Sequence, residues 1–256
     1  MFKSGVWGPA VRVVRIKYAH SEPLFWRARL KVVEGGNLEA ARLIADGAAD
    51  LGFVPITLAA ELGLPIVPRL AIYAVGPIIS ARLFEGRGRG GPCAVSETTV
   101  SARVLNRLLG LTFRRVEDPW RGLEECSQVL AVGDEALKMA DMGVRHVVDV
   151  GELWWERVGT PLFFAVLVAK RWDREVEAAV EEMENSVAAF YENPAPVVES
   201  VSRRLGVSRG LVEEYFRRSR YLVGPDGARQ MRKEAEILDL PPLRFLDAYS
   251  SDKGLL

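Results

Sequence analysis

Residues 162–169, LFFAVLVA, form an eight-residue apolar run entered through Gly159-Thr160-Pro161, and they constrain the fold more than any other stretch. The run is too short to cross a bilayer, which takes about twenty apolar residues. Apolar on both faces, it predicts a strand buried in a mostly parallel sheet with helices above and below. The polar, helix-like residues 147–158 lead straight into it, so 159–161 is read as the point where the chain changes element.

The alternation of strand, polar turn and helix recurs along the chain. VRVVRI (11–16) predicts a first strand, and Pro23 suits the first turn of the helix after it. Asn37 is expected as the N-cap of a second helix that ends at Gly47, and DLGFVP (50–55) as a short buried strand. Residues 70–84 read as strand on both sides of Gly76-Pro77, and EGRGRGGP (85–92) as a glycine-rich linker. Helical spacing returns at Val100, Val104, Leu105 and Leu108, a strand at 129–132, and a helix from Glu135. Beyond Asp173 the pattern is mainly helical, with Val176, Val180, Met183 and Val187 on one stripe. Such an order predicts parallel sheets with ligand-binding loops at the carboxyl ends of their strands. Two lobes are expected, 1–84 with 162–256 and 85–161, with a cleft between them and Gly159-Thr160-Pro161 in its wall.

Thirty-four basic residues balance thirty-four acidic ones, so no global field draws the protein to nucleic acid or to an anionic membrane. Two cysteines, Cys93 and Cys126, and two histidines, His20 and His146, make neither a disulfide framework nor a Cys/His metal site. The N-terminal residues interrupt with Gly8-Pro9 and arginines where a secretory signal needs a continuous apolar segment, which points to the cytoplasm. Twenty-seven of the basic residues are arginine and only six residues are Asn or Gln, as suits either a hot environment or a GC-rich genome.

The motifs RIKYAHSEPLFW (15–26), DLGFVP, GPIISARLF (76–84), SETTVSARVLNRLL (96–109), VLAVGDEAL (129–137) and DVGELWWERVGTPLFFAVLVAKR (149–171) follow one another as in the chorismate dehydratase family. LVEEYFRRSRYLVGPDGARQMRKEAEIL (211–238) is similar to that family's C-terminal segment, so the resemblance spans nearly the whole chain. It implies an α/β, two-lobed periplasmic-binding-protein-like type II fold with a ligand cleft and a helical C-terminal third. It also implies a cofactor-independent lyase that dehydrates chorismate to 3-(1-carboxyvinyloxy)benzoate in the futalosine route to menaquinone. A sister family of the same fold makes 1,4-dihydroxy-6-naphthoate and is the alternative. One departure stands out: where the family has Ser-Tyr-Leu-Asn-Thr before Leu-Pro, this chain has Lys17-Tyr18-Ala19-His20-Ser21 before Glu22-Pro23, with His20 in place of the amide.

Chorismate carries two carboxylates, and loss of its ring hydroxyl with a ring proton aromatises the ring; an enzyme must hold the dianion, assist the leaving hydroxide and supply a base. Ser96, Thr98, Thr99 and Ser101 lie where a helix starts, so their hydroxyls and the free first-turn N–H groups form a carboxylate site, or simply cap that helix. Ser80, at a strand end, matches a family serine and is a candidate for the leaving hydroxyl; His20 is a candidate proton donor or acceptor. Ser21 and Pro55 lie in the loops at strand ends, and Lys17 and Arg82 are candidate carboxylate partners or solvated surface residues. Asp134 matches the family's Gly-Asp pair, with helix capping as its simplest role, and Thr160 can offer its hydroxyl or N–H to the ligand. Of Trp154 and Trp155 at most one can face a cleft.

Two other classes compete. Residues 197–219 hold two short helical stretches around Gly206 with arginines, a helix-turn-helix pattern, but neutral charge and the lack of a separate linker argue against DNA binding. A binding protein for a small carboxylate, without catalysis, is the other. Neither a metal, a cofactor, a membrane nor a nucleic-acid partner is expected, and the sequence specifies no oligomeric state.

Overall fold

The computed structural model describes residues 11–246; the N-terminal residues 1–10, part of the signal reading, lie outside them. The chain first builds β1 (Val13–Ile16), a 3-10 turn (Ala19–Ser21), α1 (Glu22–Phe25), β2 (Val32–Gly35), α2 (Asn37–Ala45), β3 (Leu51–Pro55), α3 (Ile56–Glu61) and β4 (Ile66–Ala74). It then crosses to β5 (Ala81–Glu85), β6 (Cys93–Ala94), α4 (Thr99–Leu109), β7 (Arg114–Arg115), α5 (Pro119–Glu125), β8 (Gln128–Val132), α6 (Gly133–Asp141), β9 (His146–Asp149) and α7 (Val150–Val158). It returns with β10 (Leu162–Ala169), α8 (Arg174–Glu192), α9 (Ala195–Leu205), α10 (Arg209–Arg218), β11 (Ser219–Leu222) and α11 (Gly227–Ile237).

Two sheets result, one in the order β11-β4-β10-β3-β1-β2 and one in the order β7-β6-β8-β5-β9. Strand β10 is buried at seven of its eight residues, as its composition requires, but it runs antiparallel to both β3 and β4. The expectation of a mostly parallel setting is corrected here. Apolarity on both faces reports cover on both faces, whereas direction follows from where the chain enters, and β10 enters from the second lobe. Strand β5 is likewise antiparallel to β8 and β9.

The whole of β5 pairs within the second sheet, and the chain passes between the two sheets at 75–80 and again at 159–161. Residues 85–91 are no linker. Gly86 N–H donates to Ser127 and Gly88 N–H to Cys126, while Ser127 N–H donates to Gly90, so the segment lies along 123–127 as a third edge. A Cβ on Gly86 would stand 2.1 Å from the Cys126 carbonyl oxygen; these glycines allow close backbone approach rather than flexibility. Asn37 is also not the N-cap of α2, a position held by Gly36; it is the first helical residue, and its side-chain amide donates to the Glu97 carbonyl.

One apolar cluster runs through both lobes and joins Val14, Phe53 and Leu167 of the first sheet to Leu83 and Leu130 of the second, to Val104 of α4 and to Ile78 at the crossing. The predicted stripe of α8, Val176, Val180, Met183 and Val187, is wholly buried. Among the described residues no helix is long and apolar enough to cross a membrane.

The two cysteines, read as unpaired, form a disulfide between β6 and the residue after α5, with Cα atoms 6.1 Å apart and both side chains fully buried. Thirty-three residues separate them, too far in sequence for pairing to be read without the fold. Closing that loop constrains the unfolded chain by about 3–4 kcal/mol. Replacing both cysteines by alanine is expected to lower unfolding free energy by about that amount in denaturant titration, and the unreduced, unfolded wild type is expected to show no titratable thiol.

Glu234 of α11 is fully buried; its Oε2 accepts the Phe163 N–H at 2.7 Å while Oε1 has no partner. Burial drives its pKa well above the carboxylate range, against the opposing Phe163 bond. The folded state therefore keeps a proton that the unfolded chain releases above its ordinary pKa of about 4.3. This contribution is complete below that value and is lost as pH rises towards the folded pKa, by at most about 1.4 kcal/mol per pH unit. Glu234→Gln is expected to flatten the fall of the urea midpoint as pH rises above about 4.3, the ordinary value at which the unfolded chain ionises; identical pH profiles of the two proteins would contradict the assignment.

Candidate functional site

Between the lobes, at the ends of β1, β3 and β8 and the start of β5, lies a partly open cavity of about 50 Å3, room for roughly four waters. His20 reaches it from the turn after β1, Pro55 from the end of β3, Ser80 from the residue before β5, and Thr98, Thr99 and Ser101 from the start of α4. Of the sequence candidates these six line it. A larger groove of about 550 Å3 opens on α8, α9, α10 and the start of β11 among Phe190, Tyr191, Phe216 and Arg220, and none of the sequence candidates lines it.

The other five candidates lie elsewhere. Lys17 is exposed, 6.0 Å over the outer face of the Tyr18 ring. The Ser21 hydroxyl donates to the Ile16 carbonyl at 2.6 Å and accepts from Arg15 Nε at 3.0 Å, and so shapes the turn. Ser96 precedes the lining residues of α4, and the Oγ1 of Thr160 is buried without a partner at the return crossing, off the cavity. Gly159-Thr160-Pro161 is thus a crossing but not a cavity wall. Asp134 caps nothing in its own helix, whose N-cap is Val132; its Oδ1 accepts the Ala19 N–H at 2.8 Å and its Oδ2 takes Arg204 at 3.0 Å. Arg82, the other possible carboxylate partner, is held by Asp149 at 3.0 Å. Trp154 is buried in the core and Trp155 is exposed.

Ser80 owes its place to Asp149. The two oxygens of that carboxylate accept the N–H groups of Ile78 and Ile79, cap α7 through Gly151 and Glu152, and bind Arg82. Ile79 adopts φ 72°, a left-handed conformation costly for a β-branched residue, and these bonds hold it there. The Ser80 carbonyl accepts the Gly133 N–H at 2.7 Å, and its hydroxyl hydrogen-bonds the Tyr215 phenol.

His20 packs with its ring 5.6 Å from that of Tyr18, and its Nε2 is buried with no partner. Burial lowers its pKa to about 4, with Asp134 opposing and Arg15 assisting, so at neutral pH it is an uncharged donor and acceptor. The phenols of Tyr18 and Tyr215 are both pushed up by burial, for Tyr18 with the charge of Glu97 adding to it. Among the described residues the lining includes one carboxylate, Glu97, and no lysine or arginine. Glu97 Oε2 accepts the Asn37 N–H at the start of α2, at 2.5 Å, and so spans the lobes. Thr98 spends its hydroxyl on the Val95 carbonyl, at 2.7 Å. A ligand carboxylate would meet the first-turn N–H groups of α4 with Thr99 and Ser101 rather than a cation.

Tyr18, Asn37, Glu97, Phe164, Tyr215 and Ser219 also line the cavity and were not among the candidates. Tyr18, Glu97, Tyr215 and Ser219 all lie inside motifs already singled out, but nothing local marks Tyr215 and Ser219 as lining residues, because α10 and β11 meet the cavity only through tertiary packing. The 197–219 pattern accordingly consists of α9 and α10, with Val212, Tyr215 and Phe216 facing inward.

A family model described as menaquinone biosynthesis matches residues 11–237. The chain belongs to the menaquinone-biosynthesis family. This family member is 26% identical over 254 residues to the chorismate dehydratase of Thermus thermophilus, across 88% of this chain and 94% of that one. Among solved structures it is similar to a protein of Archaeoglobus fulgidus (17% identity, TM-score 0.69, 90% and 96% of the two chains). It is also similar to the alkanesulfonate-binding protein of Xanthomonas axonopodis bound to MOPS (15%, 0.65, 91% and 93%). Its fold is therefore the two-lobed periplasmic-binding-protein-like one.

Removing the Asp149 carboxylate leaves Arg82 and two buried amides unpaired. Asp149→Ala is expected to cost about 3 kcal/mol or more of unfolding free energy, read from denaturant midpoints; a loss below about 1 kcal/mol would show that Ser80 is placed by other means.

Proposed function

We propose that this protein removes water from chorismate to give 3-(1-carboxyvinyloxy)benzoate, in the cytoplasm, with the interlobe cavity as its active site. The observation that carries the reading is the similarity to a chorismate dehydratase along nearly the whole chain, together with the convergence of His20, Ser80 and the α4 hydroxyls on one cavity. One substrate carboxylate sits at the start of α4 on Thr99, Ser101 and the first-turn amides. Ser80 and the neutral His20 face the ring hydroxyl, which leaves with its C–O electron pair and takes up, as water, the proton that the base removes from the neighbouring ring carbon. The neighbouring ring proton passes to a base, for which the second substrate carboxylate serves, and the C–H electron pair completes the aromatic ring. Electrons balance without an oxidant or reductant, so the elimination needs no redox cofactor. A ring with two carboxylates is larger than the present cavity, so it enters when the lobes part.

Incubation with chorismate is expected to give an aromatic ultraviolet spectrum and a product lighter by one water. Ser80→Ala should slow this by about a hundredfold or more. Turnover by His20→Ala at the wild-type rate would remove His20 from the mechanism and leave the substrate carboxylate as base. Chorismate binding without product would overturn the dehydratase reading in favour of a binding protein.

A further inference from the structure

His20 belongs to the first lobe, whereas Ser80 and the start of α4 belong to the second, and the imidazole does not hold itself in place through Nε2, which has no partner. Besides the contacts of Ser21 within its own lobe, one hold on its turn comes from across the cleft. Asp134 of the second lobe accepts the Ala19 N–H at 2.8 Å, one residue before His20, with only 12% of its side chain exposed. Its other oxygen is bound by Arg204 of α9, which also approaches Glu22 at 3.5 Å; Glu22 in turn pairs with Arg15 at 2.7 Å. Arg15 closes the path by donating to the Ser21 hydroxyl. The turn Ala19–Ser21 is thus gripped at both ends, by Asp134 on one side and by the Arg15–Ser21 contact on the other.

Gly133, next to Asp134, adds the second reference point. Its N–H donates to the Ser80 carbonyl, and a Cβ there would stand 3.2 Å from the Tyr18 ring, at a φ of +63° that favours glycine. The dipeptide Gly133-Asp134 therefore contacts both Ser80 and the turn that carries His20.

We propose that Asp134 is a positioning residue for His20: it seats the 19–21 turn through the Ala19 amide, so the imidazole reaches its place beside Ser80 only while the lobes are together. This rests on the reading of the interlobe cavity as the active site, and goes beyond it by assigning the Gly-Asp pair a job in the opposite lobe instead of in its own helix. Misplacement of a reacting group by about 1 Å can cost about a hundredfold in rate, so such a tie has kinetic weight.

The chain has only two histidines, which makes the test direct. The groups around His20 that carry charge or titrate are Asp134, Arg15 and Tyr18, with Glu97 and Tyr215 lining the same cavity and Glu22 and Arg204 behind the turn. Histidine ring resonances are followed by NMR from pH 3 to pH 8 in wild type, Asp134→Ala and Asp134→Asn, with His146 as internal reference and evidence of folding. If Asp134 positions the turn, its truncation frees the imidazole into water, and the His20 midpoint climbs from near 4 towards the ordinary value of about 6.5. Exchange of the Ala19 amide then accelerates about tenfold or more. Asp134→Asn keeps an acceptor for that amide and is expected to hold the midpoint low. If the carboxylate acts only as a nearby negative charge, truncation moves the midpoint down instead. A midpoint that falls or stays in Asp134→Ala, or an asparagine that does not restore it, overturns the proposal. With chorismate, Asp134→Ala should lose about tenfold or more in kcat. A wild type that never turns chorismate over would end the dehydratase reading while leaving the NMR result to stand or fall alone.

Discussion

Everything after residue 161 is placed by one strand. β10 returns from the second lobe, enters between β3 and β4 and buries seven of its eight residues, so the first sheet is complete only when the chain has already built the second. Its insertion brings α8 against α1 and carries α9, α10 and β11 around the first lobe, and that path lets Arg204, Tyr215 and Ser219 reach the cleft. The buried Glu234 of α11 is tied to the same strand at Phe163. A soluble strand this apolar has no stable alternative to such a slot, since leaving it in water forfeits about 25 cal/mol for every Å2 of apolar surface.

The site is organised by geometry more than by charge. Arg15, Arg82 and Arg204 all stand behind the cavity wall, each bound to a carboxylate, where they fix turns. The lining itself offers hydroxyls, a neutral imidazole, two phenols and helix starts, groups that orient an anion and bond a leaving hydroxyl without a fixed positive charge. Glu97, the one lining carboxylate among the described residues, is bound at the start of α2 and bridges the lobes, as Asp134 does through Ala19.

Local patterns carried much of this into view. The turn holding His20, the hydroxyls at the start of α4, the buried strand 162–169 and the stripe of α8 are each legible, because periodicity and turn chemistry act within a few residues. The role of Asp134 was not, since an acid in the first turn of a helix reads as serving that helix, while its actual partners are Ala19 and Arg204. Glycines at 86 and 88 looked like a linker for a similar reason: composition cannot distinguish a flexible backbone from one pressed against Cys126.

The sequence by itself determined which segments are buried and helical or extended, and, through its motifs, the family and the two-lobed architecture. Tertiary structure alone decided the direction of β10, the pairing of Cys93 with Cys126, the arrival of Tyr215 at the cavity and the bond from Asp134 to Ala19. Burial is a property that each residue's chemistry announces. Direction and partnership depend on where the chain has been before it returns, and contacts 33 or 115 residues apart leave no mark on local spacing.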